Sequence, residues 1–341
     1  MDTLTKVRKD GFDKFYTNPS IVDKCFATLN KLFETKEFDF IIEPSAGSGN
    51  FYKKIQHADK IAMDIHPEHK NIIKKDYFTY YPDEKYKKIL IIGNPPFGKV
   101  SSLAIQFFNH SSTFADVIAF ILPRTFRKIS VQNKLNTQFH LEFDEDVPLT
   151  PCSFTPKMNV KCCFQIWKKK EIKREIIHLP TVHQDWKFLR FGPKDENGQP
   201  TPPKNADFAL KAYGGKCGVI ECKMENLRPK SWHWIKANID VDELTNNFEK
   251  LNYKNSVNTA RQNSIGKAEL IQLYDEFKNR KKKINKSDLV ENCSLSNNLS
   301  TYPDKDITDS FNVNIENEIN KTTNQIIKLP NTRFQGSKKK I

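Results

Sequence analysis

Ile89-Leu90-Ile91-Ile92-Gly93-Asn94-Pro95-Pro96-Phe97 is the stretch on which the fold turns. Four apolar residues in a row cannot alternate between a wet and a dry face. They read as a strand buried on both sides, as in a parallel sheet covered by helices. Pro95 and Pro96 then fix φ, remove two backbone donors and force the chain to leave the sheet. At the mouth of that strand they leave the amide of Asn94, a backbone carbonyl stiffened by proline and the aromatic face of Phe97. A planar exocyclic amino group needs those three things before it can be alkylated. Its lone pair is delocalised, two acceptors on its hydrogens draw the nitrogen toward tetrahedral geometry, and a ring holds the planar substrate by stacking. A plain Pro-Pro turn fits the same four residues taken alone, and the residues upstream separate the two readings.

Working outward, Phe38-Asp-Phe-Ile-Ile42 and Lys60-Ile-Ala-Met-Asp64 are strand candidates, Ile72-Ile73 touches a third, and Lys88–Ile92 and Ala115–Leu122 are the clearest. A helix-like stretch starts at Asn50, and Leu103, Ala104, Phe107 and Phe108 have helical spacing. Alternating strand and helix implies βαβ units. The expected fold class is α/β, Rossmann-like, with a mostly parallel sheet and helices on both faces over residues 1–172. Cys162–Trp167 is expected to add an antiparallel edge strand. Residues 173–280 read as a smaller substrate or target-recognition module, β or irregular through Gly- and Pro-rich clusters and helical from about 242. Residues 281–341 are low in complexity, with 285–341 read as a largely disordered tail ending in basic Lys338-Lys-Lys340.

The chain has 341 residues, 38% hydrophobic with 25 Phe, which suffices for a real core. Its formal charge of +14 points to a polyanionic partner, nucleic acid first and an anionic membrane surface second, although AT-rich codon usage also enriches Lys. Seven cysteines at irregular positions, with no signal peptide or long apolar span, fit free thiols in a reducing compartment, cytoplasmic or (host) nuclear and not secreted. Cys217, Cys222 and His233 lack the second close pair that zinc requires. His66-Pro-Glu-His69 reads as a polar loop, because Pro67 opposes a helix presenting both histidines. No metal and no membrane partner are expected.

Glu43-Pro-Ser-Ala-Gly-Ser-Gly-Asn-Phe51 follows the first strand directly. Gly47 and Gly49 permit a tight turn and close approach of backbone to a ligand. Asp64, about twenty residues on at the end of the second strand, stands where a carboxylate reaches ribose hydroxyls. Asp76-Tyr77-Phe78 offers an acceptor for an adenine amino group and rings to stack on it. Tyr52 occupies the place of the third glycine of a dinucleotide fingerprint, and no Walker-type lysine follows. A ribose-seeking loop without a phosphate cradle suits S-adenosylmethionine.

Together these residues resemble the class I S-adenosylmethionine-dependent methyltransferases, and within them the enzymes that methylate adenine N6. Phe15-Tyr16-Thr17-Asn18-Pro19 matches the family's opening element, Glu43–Gly49 its cofactor loop (with Glu43 where many members carry Asp), and Asn94–Phe97 its catalytic tetrapeptide. Cofactor elements precede the catalytic one, the gamma-like order among DNA methyltransferases, over roughly residues 12–170. Ala206–Gly218 and Ser231–Lys236 are similar to the C-terminal module of phage and large-DNA-virus methyltransferases. The resemblance implies a catalytic set of Asn94, Pro95, Pro96 and Phe97. It implies cofactor contacts from Phe15, Tyr16, Thr17, Glu43, Pro44, Ser45, Ala46, Gly47, Gly49, Asp64, Ile65, Asp76, Tyr77, Phe78 and Asn94. The implied substrate is adenine in DNA or RNA, flipped into the site. Arg124 and Arg127 read either as phosphate contacts or as an ordinary solvated helix start, and Trp232, His233 and Trp234 either as base-stacking groups or as module core. Release-factor glutamine methyltransferases, which share Asn-Pro-Pro, and a non-catalytic nucleic-acid-binding partner with this fold are the competing readings.

Overall fold

The strands fall where unbroken apolar runs place them. In chain order they are β1 (Tyr16–Thr17), β2 (Phe40–Pro44), β3 (Lys60–Asp64), β4 (Ile73–Lys74), β5 (Ile89–Gly93), β6 (Val117–Pro123), β7 (Phe139–Val147), β8 (Phe154–Thr155) and β9 (Cys162–Lys169). The computed structural model describes the backbone of residues 15–296 and the side chains of residues 15–281. Every residue of β2, β5 and β6 is buried, as expected of central strands covered on both faces.

Seven strands form one sheet in the order β4-β3-β2-β5-β6-β9-β7. The first five are parallel, and β9 runs antiparallel to both β6 and β7. This is the order of a doubly wound nucleotide-binding sheet with one reversed strand inserted before the last. Helix α1 (Pro19–Leu32) buries Ile21, Val22, Cys25, Phe26 and Leu29 against one face, in a cluster with Ile41, Leu90, Ile92 and Ala119. Those five positions follow helical spacing, and Pro19 begins the helix with φ already set. Helix α2 (Ser102–Ser111) places Ala104, Phe107 and Phe108 on the other face with Ile42, Ile91, Ile118 and Phe120. Each large apolar side chain so buried contributes about 1.5–3 kcal/mol. The alternation of Ile41 and Ile42 between the two clusters shows both faces covered.

Three local expectations need correction. No α-helix follows Asn50; the chain makes only a 3₁₀ turn at Tyr52–Lys54. Phe51 and Ile55 are both buried four residues apart, which mimics helical spacing without a helix. Strand β9 is not at the edge: β7 pairs on its outer side and takes that place. Most of Phe139-His-Leu-Glu-Phe-Asp-Glu-Asp-Val147 faces solvent, and a charged strand of this kind suits a sheet edge while escaping a search for apolar runs. Finally, the last helix continues through Ser296, into the stretch expected to lack structure. Residues 297–341, with Lys338–Lys340, lie outside the described residues.

The second module is a four-stranded antiparallel sheet of β10 (Trp186–Phe188), β11 (Phe208–Lys211), β12 (Ile220–Glu221) and β13 (Trp232–Ala237), in the order β10-β13-β11-β12. After the one-turn α3 (Ile129–Gln132), the remaining α-helices among the described residues are α4 (Val241–Glu249) and α5 (Lys267–Ser296). Trp186, Phe208, Leu210 and Ile235 pack on Leu244 and Phe248 of α4 and on Leu270, Ile271 and Tyr274 of α5. The Asp240 carboxylate accepts from Glu243 N at 2.8 Å and caps α4. Both sheets lie within one compact unit that ends at Asn279, and the rest of α5 falls in a second.

Candidate active site

Strand order reverses direction between β2 and β5. The chain leaves β2 toward β3 and leaves β5 toward β6, so a crevice opens between their carboxyl ends, where ligands bind in sheets of this type. The loop after β2 begins at Ser45 and the Asn94 tetrapeptide begins directly after β5, so both flank this crevice.

The loop is compact because three of five residues take left-handed backbone angles: Ser45 (φ 59°), Gly47 (52°) and Gly49 (77°). Ala46 N donates to Met63 O at 2.9 Å and Gly49 N to Ala46 O at 2.7 Å. At Gly47 the absence of a side chain is also a packing requirement, since a Cβ there would lie 2.6 Å from Tyr16 Cε1. Asp64, at the end of β3, accepts from Gly47 N on Oδ2 at 2.8 Å and from His66 N on Oδ1 at 2.7 Å. Its carboxylate is thus a strut that fixes the loop, and each oxygen keeps a further lone pair.

Phe15–Thr17 crosses the mouth of the crevice. β1 pairs with β8 at Tyr16↔Thr155 and Thr17↔Phe154, and Asn50 Nδ2 donates to Thr17 O at 2.8 Å. The Tyr16 ring covers Gly47 while its hydroxyl donates to Glu68. Across the mouth, Asn94 Nδ2 donates to Phe15 O at 3.4 Å.

A small cleft lies beneath, lined by Phe15, Tyr16, Thr17, Glu43, Ser45, Ala46, Ser48, Asn50, Phe51 and Asn94. Three of its residues carry buried polar atoms without a hydrogen-bond partner: Thr17 Oγ1, Glu43 Oε2 and Asn94 Oδ1. Buried polar atoms are nearly always paired, and an unpaired one costs about 1–3 kcal/mol. Glu43 is fully buried, and that burial, reinforced by the nearby Asp64 charge, pushes its carboxyl well above the usual range.

Phe97 is half-buried and packs against the clusters on both sheet faces. Its carbonyl accepts from Leu103 N at 3.2 Å and Ala104 N at 3.3 Å, closing the start of α2. Between them, Gly98 (φ 68°), Val100 (54°) and Ser101 (61°) are left-handed. A β-branched residue rarely adopts that conformation, and Val100 is 83% exposed. Pro44 and Pro95 are buried.

Other expected site residues stand apart from the cleft lining. Asp76 is exposed just beyond the carboxyl end of β4, with Oδ1 accepting from Phe78 N at 3.0 Å. Tyr77, expected to stack on a ligand, is a core residue. Its ring stacks on Phe107 at 5.3 Å and its hydroxyl bonds Ser111 Oγ at 2.7 Å, which leaves half-buried Phe78 as the available ring of that element. Ile65 is exposed just past β3. Arg127 is held by Asp144 and Asp146, and Arg124 by Asp146, so these guanidiniums brace β7. Trp234 is buried, and the His233 ring bonds Ile265 O at 2.9 Å, with burial pushing its pKa down to about 4. Ser48, Asn50 and Phe51 line the cleft without having been singled out; their place directly beside the two loop glycines was the available signal. Among the described residues no cluster of three His, Cys, Asp or Glu could hold a metal, and no helix is long and apolar enough to cross a membrane.

No family model and no curated protein matches the chain. Among solved structures it is similar to the 23S rRNA methyltransferase ErmE, at 12% identity and a TM-score of 0.35 over 47% of this chain and 71% of that one. It is also similar to the N-methyltransferase NodS from Bradyrhizobium japonicum WM9, at 9% identity and a TM-score of 0.32 over 45% and 96% of the two chains. A third is the magnesium protoporphyrin IX methyltransferase of Synechocystis PCC 6803 with bound SAH, at 10% identity and a TM-score of 0.31 over 50% and 88%.

Proposed function

We propose that the protein is an S-adenosylmethionine-dependent N-methyltransferase whose substrate is the N6 amino group of adenine in nucleic acid. The observation that carries this is the clustering of Thr17 Oγ1, Glu43 Oε2 and Asn94 Oδ1, buried and unpartnered, around one cleft at the switch point of the sheet. The residues fit the cofactor. Glu43 offers an acidic acceptor suited to an α-ammonium, and Gly47 and Gly49 let backbone approach closely. Asp64 keeps lone pairs for ribose hydroxyls, and Asp76 and Phe78 suit an adenine ring. When bound, the cofactor supplies an electrophilic methyl group on a sulfonium.

The remaining work falls to side chains already in place. Asn94 Oδ1 accepts one N6 hydrogen, and the carbonyl of Pro95, a buried residue, accepts the other. Withdrawing both hydrogens from the ring plane frees the nitrogen lone pair for in-line attack, a step governed by positioning. The nitrogen becomes cationic before its proton leaves to solvent, so no strong general base is needed. Phe97 is clamped between two apolar clusters and gives the flipped base a fixed face, worth about 1–3 kcal/mol against a flipping cost of a few kcal/mol. The formal charge of +14 favours a nucleic-acid substrate over a protein one.

Incubation with methyl-labelled cofactor, separation of DNA, RNA and protein pools, and nucleoside analysis test this. Label in N6-methyladenine is the expected result, and label confined to protein glutamine overturns the assignment.

A further inference from the structure

We propose that Tyr213, Lys216 and Arg261 form a docking edge for the nucleic-acid strand that flanks the target base. The inference rests on the nucleic-acid methyltransferase reading for the identity of the strand.

The placement comes from a continuous hydrogen-bonded path. β5 and β6 lie side by side in parallel, with Gly93 opposite Phe120, so the turns after them emerge on one edge of the sheet. The two turns touch, Ser101 Oγ bonding Thr125 Oγ1 at 2.7 Å. Next to Thr125, Arg124 N donates to Lys161 O at 3.0 Å. Lys161 in turn carries the second module: its N donates to Ala260 O at 2.8 Å and its ammonium to Asn263 Oδ1 at 2.7 Å. Asn263 holds the Tyr213–Lys216 loop, accepting from Gly214 N at 2.9 Å and donating to Gly215 O at 3.0 Å, while Tyr213 bridges Ser264. Ala260 packs on the same apolar cluster as Phe15 and Phe97. The loop and the 259–263 segment therefore belong to the carboxyl-end side of the sheet that carries Asn94.

The chemistry displayed there suits a single strand. Tyr213 is 48% exposed, although aromatic. Gly214 (φ 78°) and Gly215 (φ 54°) face open space, a Cβ at either meeting nothing within 4 Å. Lys216 and Arg261 are exposed and, among the described residues, form no ion pair. An aromatic platform beside free cations is how strands are held without sequence readout, bases stacking on the ring and phosphates meeting the charges. An acidic peptide would use the cations and leave the ring idle.

The test uses the full chain and fluorescence anisotropy with a labelled mixed-sequence single-stranded oligodeoxynucleotide, and its RNA counterpart, across a salt series. Lys216→Glu with Arg261→Glu should flatten the slope of log affinity against log salt by about 1.4, two phosphates at about 0.7 each. Tyr213→Ala should weaken binding about 5- to 150-fold, the loss of one stacked base, and Tyr213→Phe should restore it. Lys85→Glu with Lys87→Glu, before the amino end of β5, is the control pair and should leave the slope unchanged. Strand binding by these variants equal to the parent, an equal effect of the control pair, or no strand binding by the parent overturns the proposal. So does binding of a poly-glutamate peptide at the strand's affinity and insensitive to Tyr213→Ala. Calorimetry with S-adenosylhomocysteine separates the two levels. Its failure in the parent defeats the methyltransferase reading alone, whereas intact cofactor binding with unchanged strand binding in the variants defeats the docking edge alone.

Discussion

The Asn94 side chain donates to the carbonyl of Phe15 at 3.4 Å, and its own oxygen is left buried without a partner. One hydrogen bond therefore sets which way the amide faces, because the end that donates to Phe15 cannot also be the end that accepts from substrate. Asn94→Ala removes the acceptor. Methyl transfer in single-turnover assays should fall about a hundredfold or more, by analogy with loss of one transition-state hydrogen bond. Binding of S-adenosylhomocysteine by calorimetry should stay near the parent value, and retained activity would contradict the adenine-N6 assignment.

Glu43 gives a pH signature with a definite sign. Its folded pKa is raised by burial, so the folded state keeps a proton that the unfolded state releases above the ordinary carboxyl pKa. Stability from this group is complete at low pH and falls, by up to about 1.4 kcal/mol per pH unit, as pH rises toward the folded pKa. Glu43→Gln should remove that decline and raise the melting temperature at neutral pH, while weakening cofactor binding. A variant with an unchanged pH–stability curve would show that Glu43 is ionised in the folded protein.

Gly47→Ala places a methyl group 2.6 Å from the Tyr16 ring at a left-handed position. A loss of about 1–3 kcal/mol in denaturant unfolding is expected. Adding Tyr16→Ala should recover the steric part and leave the backbone part, so the double-mutant cycle reads the contact directly.

Phe97→Tyr should preserve activity. Phe97→Leu keeps an apolar filler between the two clusters and removes the aromatic face, so KM for a nucleic-acid substrate should rise with little change in melting temperature. Equal KM values for Phe and Leu would remove the stacking role.

His233 is neutral when folded, with a pKa near 4, whereas an exposed histidine titrates near 6.5. Stability from its burial is complete above the unfolded value and is lost as pH falls from about 6.5 toward about 4, at up to about 1.4 kcal/mol per pH unit. Tryptophan fluorescence during acid unfolding should report this, with Trp234 next to it in the chain and Trp186 in the same module. His233→Phe should weaken the acid dependence.

Legibility followed burial. The strands β2, β5 and β6 announce themselves because both their faces are dry, and the Asn94 turn and the Gly47 loop are tied to strand ends that such runs locate well. What stayed hidden has a physical cause in each case. β7 is half solvated and charged, so it has no apolar run to find. Phe51 and Ile55 are spaced like a helix but are buried by a short 3₁₀ turn. Tyr77 carries the right side chain for ligand stacking, yet Phe107 and Ser111, thirty and thirty-four positions away in the chain, take its ring and hydroxyl into the core. The link from Lys161 through Asn263 to Gly214 joins residues that no local pattern connects.

The short β1–β8 ladder has a kinetic consequence. Two residues on each side make a poor cooperative unit beside a seven-stranded sheet, so this ladder should open at a far lower free energy than the sheet itself. Its opening lifts the Tyr16 cover from Gly47 and at the same moment releases the Asn94 amide from Phe15. On the proposed methyltransferase reading, ligand exchange and release of Asn94 would then be one event, and amide hydrogen exchange at Tyr16 and Thr17 should keep pace with turnover.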